Sequence, residues 1–312
     1  MPTSGITQPP VAGFAIRRLF ERARNRADAE RRARALLPQV AAWHRWFHAM
    51  RDPGGEGLVA VLHPWETGRD NSVDWDAPFA RVPTEGIAPY TRRDTEHADP
   101  AHRPTKAQYD RYLWLVERFR AVGWDNARLH DASPFRVVDP GFNAILLRSA
   151  ADLADLADAL GEAAMEGLWS ERHGQYLCRD RVTGRLVDSA SIGGLLPAFA
   201  AIPAAKAARI AATIEGSGTR YRLASHPPGD PRFDAKRYWR GPVWLVVNYM
   251  IADGLARAGE AGAAEAIVRS SLALIERSGF AEYYDPMTGA PLGGGSFSWT
   301  AAMVLELLAP QA

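Results

Sequence analysis

The chain has a single cysteine, Cys178, among 312 residues, so an internal disulfide is excluded and nothing points to an oxidising compartment. It has no excess charge of either sign: 37 basic residues face 36 acidic ones, for a formal +1. No field therefore draws it to nucleic acid or to an anionic membrane surface. No apolar run approaches the roughly 18 residues of a membrane span. The first residues, MPTSGITQPPVAGFAIRRLF, lack the basic, apolar, small-residue order of a signal peptide, and a cytoplasmic location is the default expectation. No spacer, low-complexity run or charge block marks a boundary, so residues 1–312 are read as one domain.

What the chain has is apolar content, 47%, and ten tryptophans. That is enough for one large core. Tryptophans gather where flat rings must be held, as in sugar sites, and also in large helical cores. Most of the sequence carries helical period. VAGFAIRRLFERARN follows Pro9-Pro10, a good helix start. RADAERRARALLPQVAAWHRWFHAM continues the pattern, with Pro38 expected to kink or break it. PTKAQYDRYLWLVERFRAVG sets Tyr109, Tyr112, Leu113, Val116 and Phe119 on neighbouring turns and ends at Gly123. DPGFNAILLRSAADLADLADALG, AAKAARIAATI, PVWLVVNYMIADGLARAG, AGAAEAIVRSSLALIERSG and FSWTAAMVLELL are further helices. GQYLCRDRVTGRLVD predicts a small hairpin around Thr183-Gly184. Three long loops, 50–104, 216–240 and 278–296, interrupt the helices and hold the unusual residues. This predicts an all-α fold of helix pairs wound into a ring, with function at one rim.

Two of these loops place carboxylates among aromatics. LVAVLHPWETGRDNSVDWDAPFA sets Trp65 and Trp75 beside Glu66, Asp70, Asp74 and Asp76; GFAEYYDPMTGAPLGGGSFSW sets Glu282 and Asp285 beside Tyr283 and Tyr284. Glycoside hydrolysis needs a protonated carboxylic acid for the leaving oxygen and a second carboxylate, roughly 6.5–9.5 Å away if that second group activates water. Aromatic neighbours can desolvate the acid so that it stays protonated near neutral pH. The bland alternative for each acid is a turn or a helix cap. RYWRGPVWLVVNYM brings Tyr238, Trp239, Arg240 and Trp244 to a helix entrance, where they are candidates for a ring-binding wall or for core packing.

Other signals carry less. His44 and His48 have metal-ligand spacing without an evident third ligand. His63 with Glu66 does not make a zinc site, and Asp70, Asp74 and Asp76 do not follow the calcium-loop pattern. No metal or cofactor is expected. Gly293–Ser296, GGGS, has no lysine and is read as a flexible lead into the last helix rather than a phosphate cradle. Arg69, next to Asp70, is expected to favour ionisation of that acid and so to oppose a proton-donor role.

Seven motifs in order, GITQPPV, HPWETGRDNS, RPTKAQYDRYLWLV, DPGFNAIL, YWRGPVW, GFAEYYDPMTG and FSWTAA, resemble the glucosylglycerate and mannosylglycerate hydrolase branch of the processing α-glucosidase I family, glycoside hydrolase family 63. The resemblance covers nearly the whole chain. It implies an (α/α)6 barrel and an inverting enzyme without a metal, acting on a small α-glycoside. It implies Asp70 as general acid and Glu282 as the base that activates water. Trp65, Trp239 and Trp244 would line the sugar site together with Tyr238, Gln8 would contact the sugar, and Arg103 and Tyr109 would hold a glycerate carboxylate. Relatives of this kind carry a further helical stretch before the ITQPP motif. Nine or ten helices are counted here against twelve in a closed barrel, so an opening at the N-terminal side is expected. Apolar faces would be exposed near Val11–Phe20 and Phe297–Leu308, with self-association across them. A competing reading is a non-catalytic barrel that binds a glycoside or a partner through its open side. A toroid handling isoprenoids is a third, unsupported by any DDxxD motif.

Overall fold

The structure is a computed structural model that describes residues 4–96, 99–152 and 165–308. It is built from helices: α1 Ala12–Arg22, α2 Arg26–Arg51, the single turn α3 Asp76–Phe79, α4 Lys106–Ala121, α5 Asn126–Ala132, α6 Pro140–Asp152, α7 Ala204–Glu215, α8 Leu245–Arg257, α9 Ala261–Ser278 and α10 Ser298–Leu308. Strand structure among the described residues is limited to three two-residue antiparallel pairs. They join β1 Val137–Val138 with β4 Arg179–Asp180, β2 Trp169–Ser170 with β3 Gln175–Tyr176, and β5 Tyr283–Tyr284 with β6 Pro291–Leu292. The predicted helix beginning at DPGF is seen as α6; its continuation past Asp152 lies outside the described residues.

Helix α6 is the hub. Residues 140–146 and 148–150 are buried, and α1, α2 and the single-turn helical segments Ile192–Gly194 and Leu196–Ala200 pack on it. Gly13 of α1 lies so close that an added Cβ would stand 2.2 Å from the Ser149 carbonyl oxygen; its amide donates to Ser149 Oγ at 2.8 Å. On the other side, Asn143 bonds both the amide and the carbonyl of Val59 at 2.9 Å. This pins the buried strand-like run 58–62 that leads into the HPWETGRDNS loop. Helices α8 and α9 pack on each other, with α7 and α10 against their sides.

Pro38 was expected to kink or break its helix, and α2 instead runs unbroken through it over 26 residues. Proline removes one amide donor and crowds the preceding turn. Here the flanking Ala, Arg and Leu are strong helix formers, Asn25 caps the start by accepting from the Asp28 amide at 3.0 Å, and Val40, His44, Phe47 and Arg51 bury one stripe. Helix α4 starts on a capping box: Thr105 Oγ1 accepts from the Gln108 amide and Gln108 Oε1 from the Thr105 amide. Its deepest face is Tyr112, Leu115 and Phe119 rather than the predicted face through Leu113. Tyr109 and Val116, two turns apart, face a cavity instead.

The helices expected to flank an opening, α1 and α10, are joined by the Arg22–Glu306 ion pair. Their outer faces carry Leu19 (73% exposed), Leu305 (72%) and Leu308 (63%).

Because Pro38 is exposed in a helix interior, Pro38→Ala restores a donor without touching the core. It is expected to raise stability by up to about 3 kcal/mol, read as a higher midpoint in urea at unchanged m-value. An unchanged or lowered midpoint would show that the proline is accommodated without cost.

Candidate active site

A cavity of about 740 Å³ lies where the long loops meet. Gln8, Trp65, Asp70, Arg103, Tyr109, Tyr238, Trp244 and Glu282 all line it, so eight of the nine site residues expected from sequence come together. The ninth, Trp239, is not in the wall. It is 3% exposed and stacked on Trp244, ring centroids 4.1 Å apart and nearly parallel. Trp244 also stacks on Tyr283 at 4.7 Å, and its indole N–H donates to the Tyr238 carbonyl. With protein on both faces, Trp244 offers the cavity an edge, and packing accounts for Trp239.

Asp70 and Arg69 are consecutive yet face opposite ways. Arg69 is buried, with Nη1 2.7 Å from Asp74 Oδ2 and Nη2 2.9 Å from Asp139 Oδ1. Burial alone would lower its pKa, but Asp139 and Asp74 hold it above the ordinary value. Gly193 makes room for it: a Cβ there would lie 2.5 Å from Nη2. The expectation that Arg69 opposes a proton-donor role at Asp70 is therefore corrected, because its charge is spent on two other carboxylates. The backbone is anchored at both residues: Trp75 Nε1 donates to the Arg69 carbonyl at 2.6 Å and Tyr112 Oη to the Asp70 carbonyl at 2.6 Å.

Asp70 itself reaches the cavity floor, where burial pushes its carboxyl up to about 7 against the pull of the Arg103 guanidinium; Glu282 adds to the upward push. A carboxyl poised there is half protonated near neutrality, as a general acid requires. Glu282 arrives through a backbone rung. Val243 exchanges hydrogen bonds with Tyr284 (2.8 and 3.0 Å), which sets the 238–244 segment beside the start of β5. Glu282 Oε2 accepts from the Gly294 amide at 3.1 Å, and a Cβ on Gly293, whose φ is +70°, would fall 2.5 Å from that oxygen. The GGGS stretch, expected to be a flexible lead, is thus the backbone cradle of Glu282.

Asp285, Glu66, His63 and His44 are held in structural contacts. Asp285 accepts from the Met287 and Thr288 amides and makes the β5–β6 turn. Glu66 is buried against Arg51 at 3.1 Å and accepts from the amides of Thr7 and Leu62. Arg51 also donates to the Gly5 carbonyl. This knot ties residues 4–8 to the loop and brings Gln8 Nε2 within 3.1 Å of the Trp65 carbonyl. His63 accepts from the Trp65 amide at Nδ1 and donates from Nε2 to the Tyr112 carbonyl; burial pushes its pKa down to about 4, so it is neutral. His44 is likewise lowered to about 4 by burial and bonds Ser149. No group of three or more metal-ligating side chains occurs among the described residues.

Sequence reasoning missed Asp94, Tyr112, Trp124 and Trp299, which also line the cavity. Asp94 sits in a charge run with nothing to distinguish it, and Tyr112 reads as an ordinary helix-face aromatic. Trp299 belongs to FSWTAAMVLELL, whose periodicity reads only as a helix. Tyr238 has φ +34°, a strained value for a non-glycine residue, and Arg103 lies over its ring, 4.2 Å from the centroid.

An all-α (α/α) barrel with two carboxylates in an aromatic-walled cavity at its loop end is the class defined by fold and site. Residues 1–300 match the mannosylglycerate hydrolase MGH1-like glycoside hydrolase domain, and the chain belongs to that family. It is 47% identical to mannosylglycerate hydrolase MGH1 of Selaginella moellendorffii, over 98% of this chain and 66% of that protein. It is 35% identical to the glucosylglycerate hydrolase of Mycolicibacterium hassiacum, over 98% and 75%. The chain thus spans about two thirds to three quarters of the length of these relatives. Crystal structures of the family 63 mannosylglycerate hydrolase of Thermus thermophilus, in complex with Tris and D-glycerate and in complex with glucose, both superpose with a TM-score of 0.93. Each covers 97% of this chain, at 45% and 46% identity, and 78% and 77% of the crystallised chain.

Arg69→Met strands Asp74 and Asp139 in the interior, and breaking a buried pair in this way costs about 3–5 kcal/mol. Without the guanidinium both carboxyls titrate higher folded than unfolded. The deficit is therefore full above their raised folded values and shrinks as pH falls through those values toward the unfolded carboxylate range. Urea denaturation at neutral and mildly acidic pH checks this; a deficit independent of pH would assign the loss to packing.

Proposed function

We propose that the chain is an inverting glycosidase that hydrolyses a small α-glycoside of glycerate, of the mannosylglycerate or glucosylglycerate kind. The observation that carries it is the pairing, in one cavity, of an acid raised to about 7 with a second carboxylate held by backbone. Asp70 donates its proton to the glycosidic oxygen as the bond to the anomeric carbon breaks. Glu282 takes a proton from the water that attacks the opposite face. The products are the free sugar with inverted anomeric configuration and glycerate. Trp65, with Gln8 beside it, and the edge of Trp244 bound the sugar subsite. Arg103 and Tyr109 receive the carboxylate of the aglycone, a partner suited to a guanidinium. The relatives' names and the D-glycerate and glucose bound in the Thermus crystals support this choice of substrate class. Residues 1–312 acting as one catalytic domain is part of the same reading.

Asp70→Asn and Glu282→Gln are each expected to lower kcat by about 10²–10⁴-fold while the fold is kept. In the active chain kcat/KM should fall as pH rises through about 7, because the donor must be protonated. NMR of the first-formed sugar gives the stereochemistry. Retained configuration, or a rate indifferent to Asp70→Asn, would exclude these roles; sugar binding without turnover at any pH would favour a binding barrel.

Exposed Leu19, Leu305 and Leu308 support self-association of the chain through the α1–α10 face. The solution mass tests it, and a monomer at every concentration removes it.

A further inference from the structure

Arg103 is an enclosed cation with no carboxylate at hydrogen-bond distance. Its side chain is 15% exposed, its nearest carboxylate, Asp94, stands 3.6 Å away, and its Nε has no hydrogen-bond partner. Asp94 is already committed, with both oxygens on Arg92 at 3.1 and 2.6 Å. The neighbouring Tyr238 and Tyr283 help hold the guanidinium in its charged form. What Arg103 faces is the cavity it shares with Asp70 and Glu282. Among the described residues that line the cavity, it is the one basic side chain, against three acids.

The groups around Asp70 come from every side. Arg103 precedes α4, Tyr109 and Tyr112 lie on α4, Tyr238 precedes α8 and Glu282 precedes β5; Arg69 points away. Of these only Arg103 favours the ionised form of Asp70 by its charge; Glu282 opposes it. The field of one guanidinium is thus the adjustable quantity. An entering carboxylate that pairs with Arg103 changes it in a single direction. Its negative charge offsets the field of the guanidinium at Asp70, in a wall already rich in acids, and so drives a proton onto Asp70.

We propose that Arg103 is a charge switch for Asp70: in the empty site its guanidinium keeps the acid partly ionised, and the substrate's own carboxylate cancels that field and loads the proton donor. The inference rests on the reading that Arg103 receives the aglycone carboxylate. It goes beyond recognition, because a glycoside with a neutral aglycone would lose competence in the acid as well as affinity. The substrate that carries the charge completes the acid that cleaves it.

Proton uptake tests this directly. D-glycerate is ionised throughout the neutral range and brings no proton of its own. Titrated into the full chain by calorimetry, in buffers of different ionisation enthalpy just above pH 7, it is expected to draw in a fraction of a proton per site. The uptake should vanish well below pH 7, where Asp70 is already protonated, and in Asp70→Asn. Kinetics give a second measurement. With glycosylglycerate the basic limb of kcat, which reports the complex, should lie at higher pH than that of kcat/KM, which reports the free enzyme. With glycosylglycerol the two limbs should coincide. In Arg103→Gln the kcat/KM limb on the neutral glycoside should itself move to higher pH. Binding of glycerate without proton uptake, or limbs alike for both substrates, overturns the switch and leaves the glycosidase reading standing. Failure of glycerate to bind removes the carboxylate subsite, and the switch with it.

Discussion

The site depends on the burial of one cation. Arg69 enters the interior because Asp74, Asp139 and the hydroxyls of Ser72 and Ser191 wait for it there. A guanidinium so enclosed is tolerable only when its donors are met and its charge is balanced. Once Arg69 is committed inward, the tight turn sends the next side chain the other way, and Asp70 emerges on the cavity floor. The same network couples elements distant in sequence: the HPWETGRDNS loop, the residue before α6 and the segment after β4. Asp139 caps the first turn of α6 by accepting from the Gly141 amide, so the hub helix and the acid-bearing loop share one electrostatic joint.

Around that joint the cavity is tuned by exclusion of water more than by specific bonds. The Asp70 carboxyl is raised by burial among Tyr109, Tyr112 and Tyr238, while Glu282, at the opposite loop, keeps a backbone amide. Two chemically similar groups thus occupy different environments, the condition under which one can serve as acid and the other as base. The aromatic residues divide the labour. Trp65 and Tyr238 face the cavity. Trp239 and Tyr283 sandwich Trp244 and hold its indole in one orientation, which an exposed tryptophan could not keep.

The helices were legible because their apolar periodicity and caps are local: Thr105 with Gln108, and the glycine after α4. Pro38 misled because a single local penalty was outweighed by the buried stripe that runs from Val40 to Arg51. Asp70 and Glu282 were legible because acids set among aromatics are costly to place anywhere water cannot be managed, and the motif resemblance assigned their roles. Asp94 was not legible, since its significance lies wholly in its distance to Arg103.

By itself the sequence determined the helical class, the long loops that carry the chemistry and the residue types available for it, since periodicity, capping and turn residues act over a few positions. Tertiary structure alone decided where each charge points and what it meets. Arg69 and Asp70 are adjacent in the chain yet belong to different electrostatic environments. Trp239 and Trp244 share a motif, but one is packing and the other reaches the cavity. Gly293 reads as flexible and turns out to be small enough to lie against a carboxylate from the far side of its own hairpin. Such outcomes depend on contacts between distant segments, and electrostatic and packing energies follow distance in space rather than along the chain.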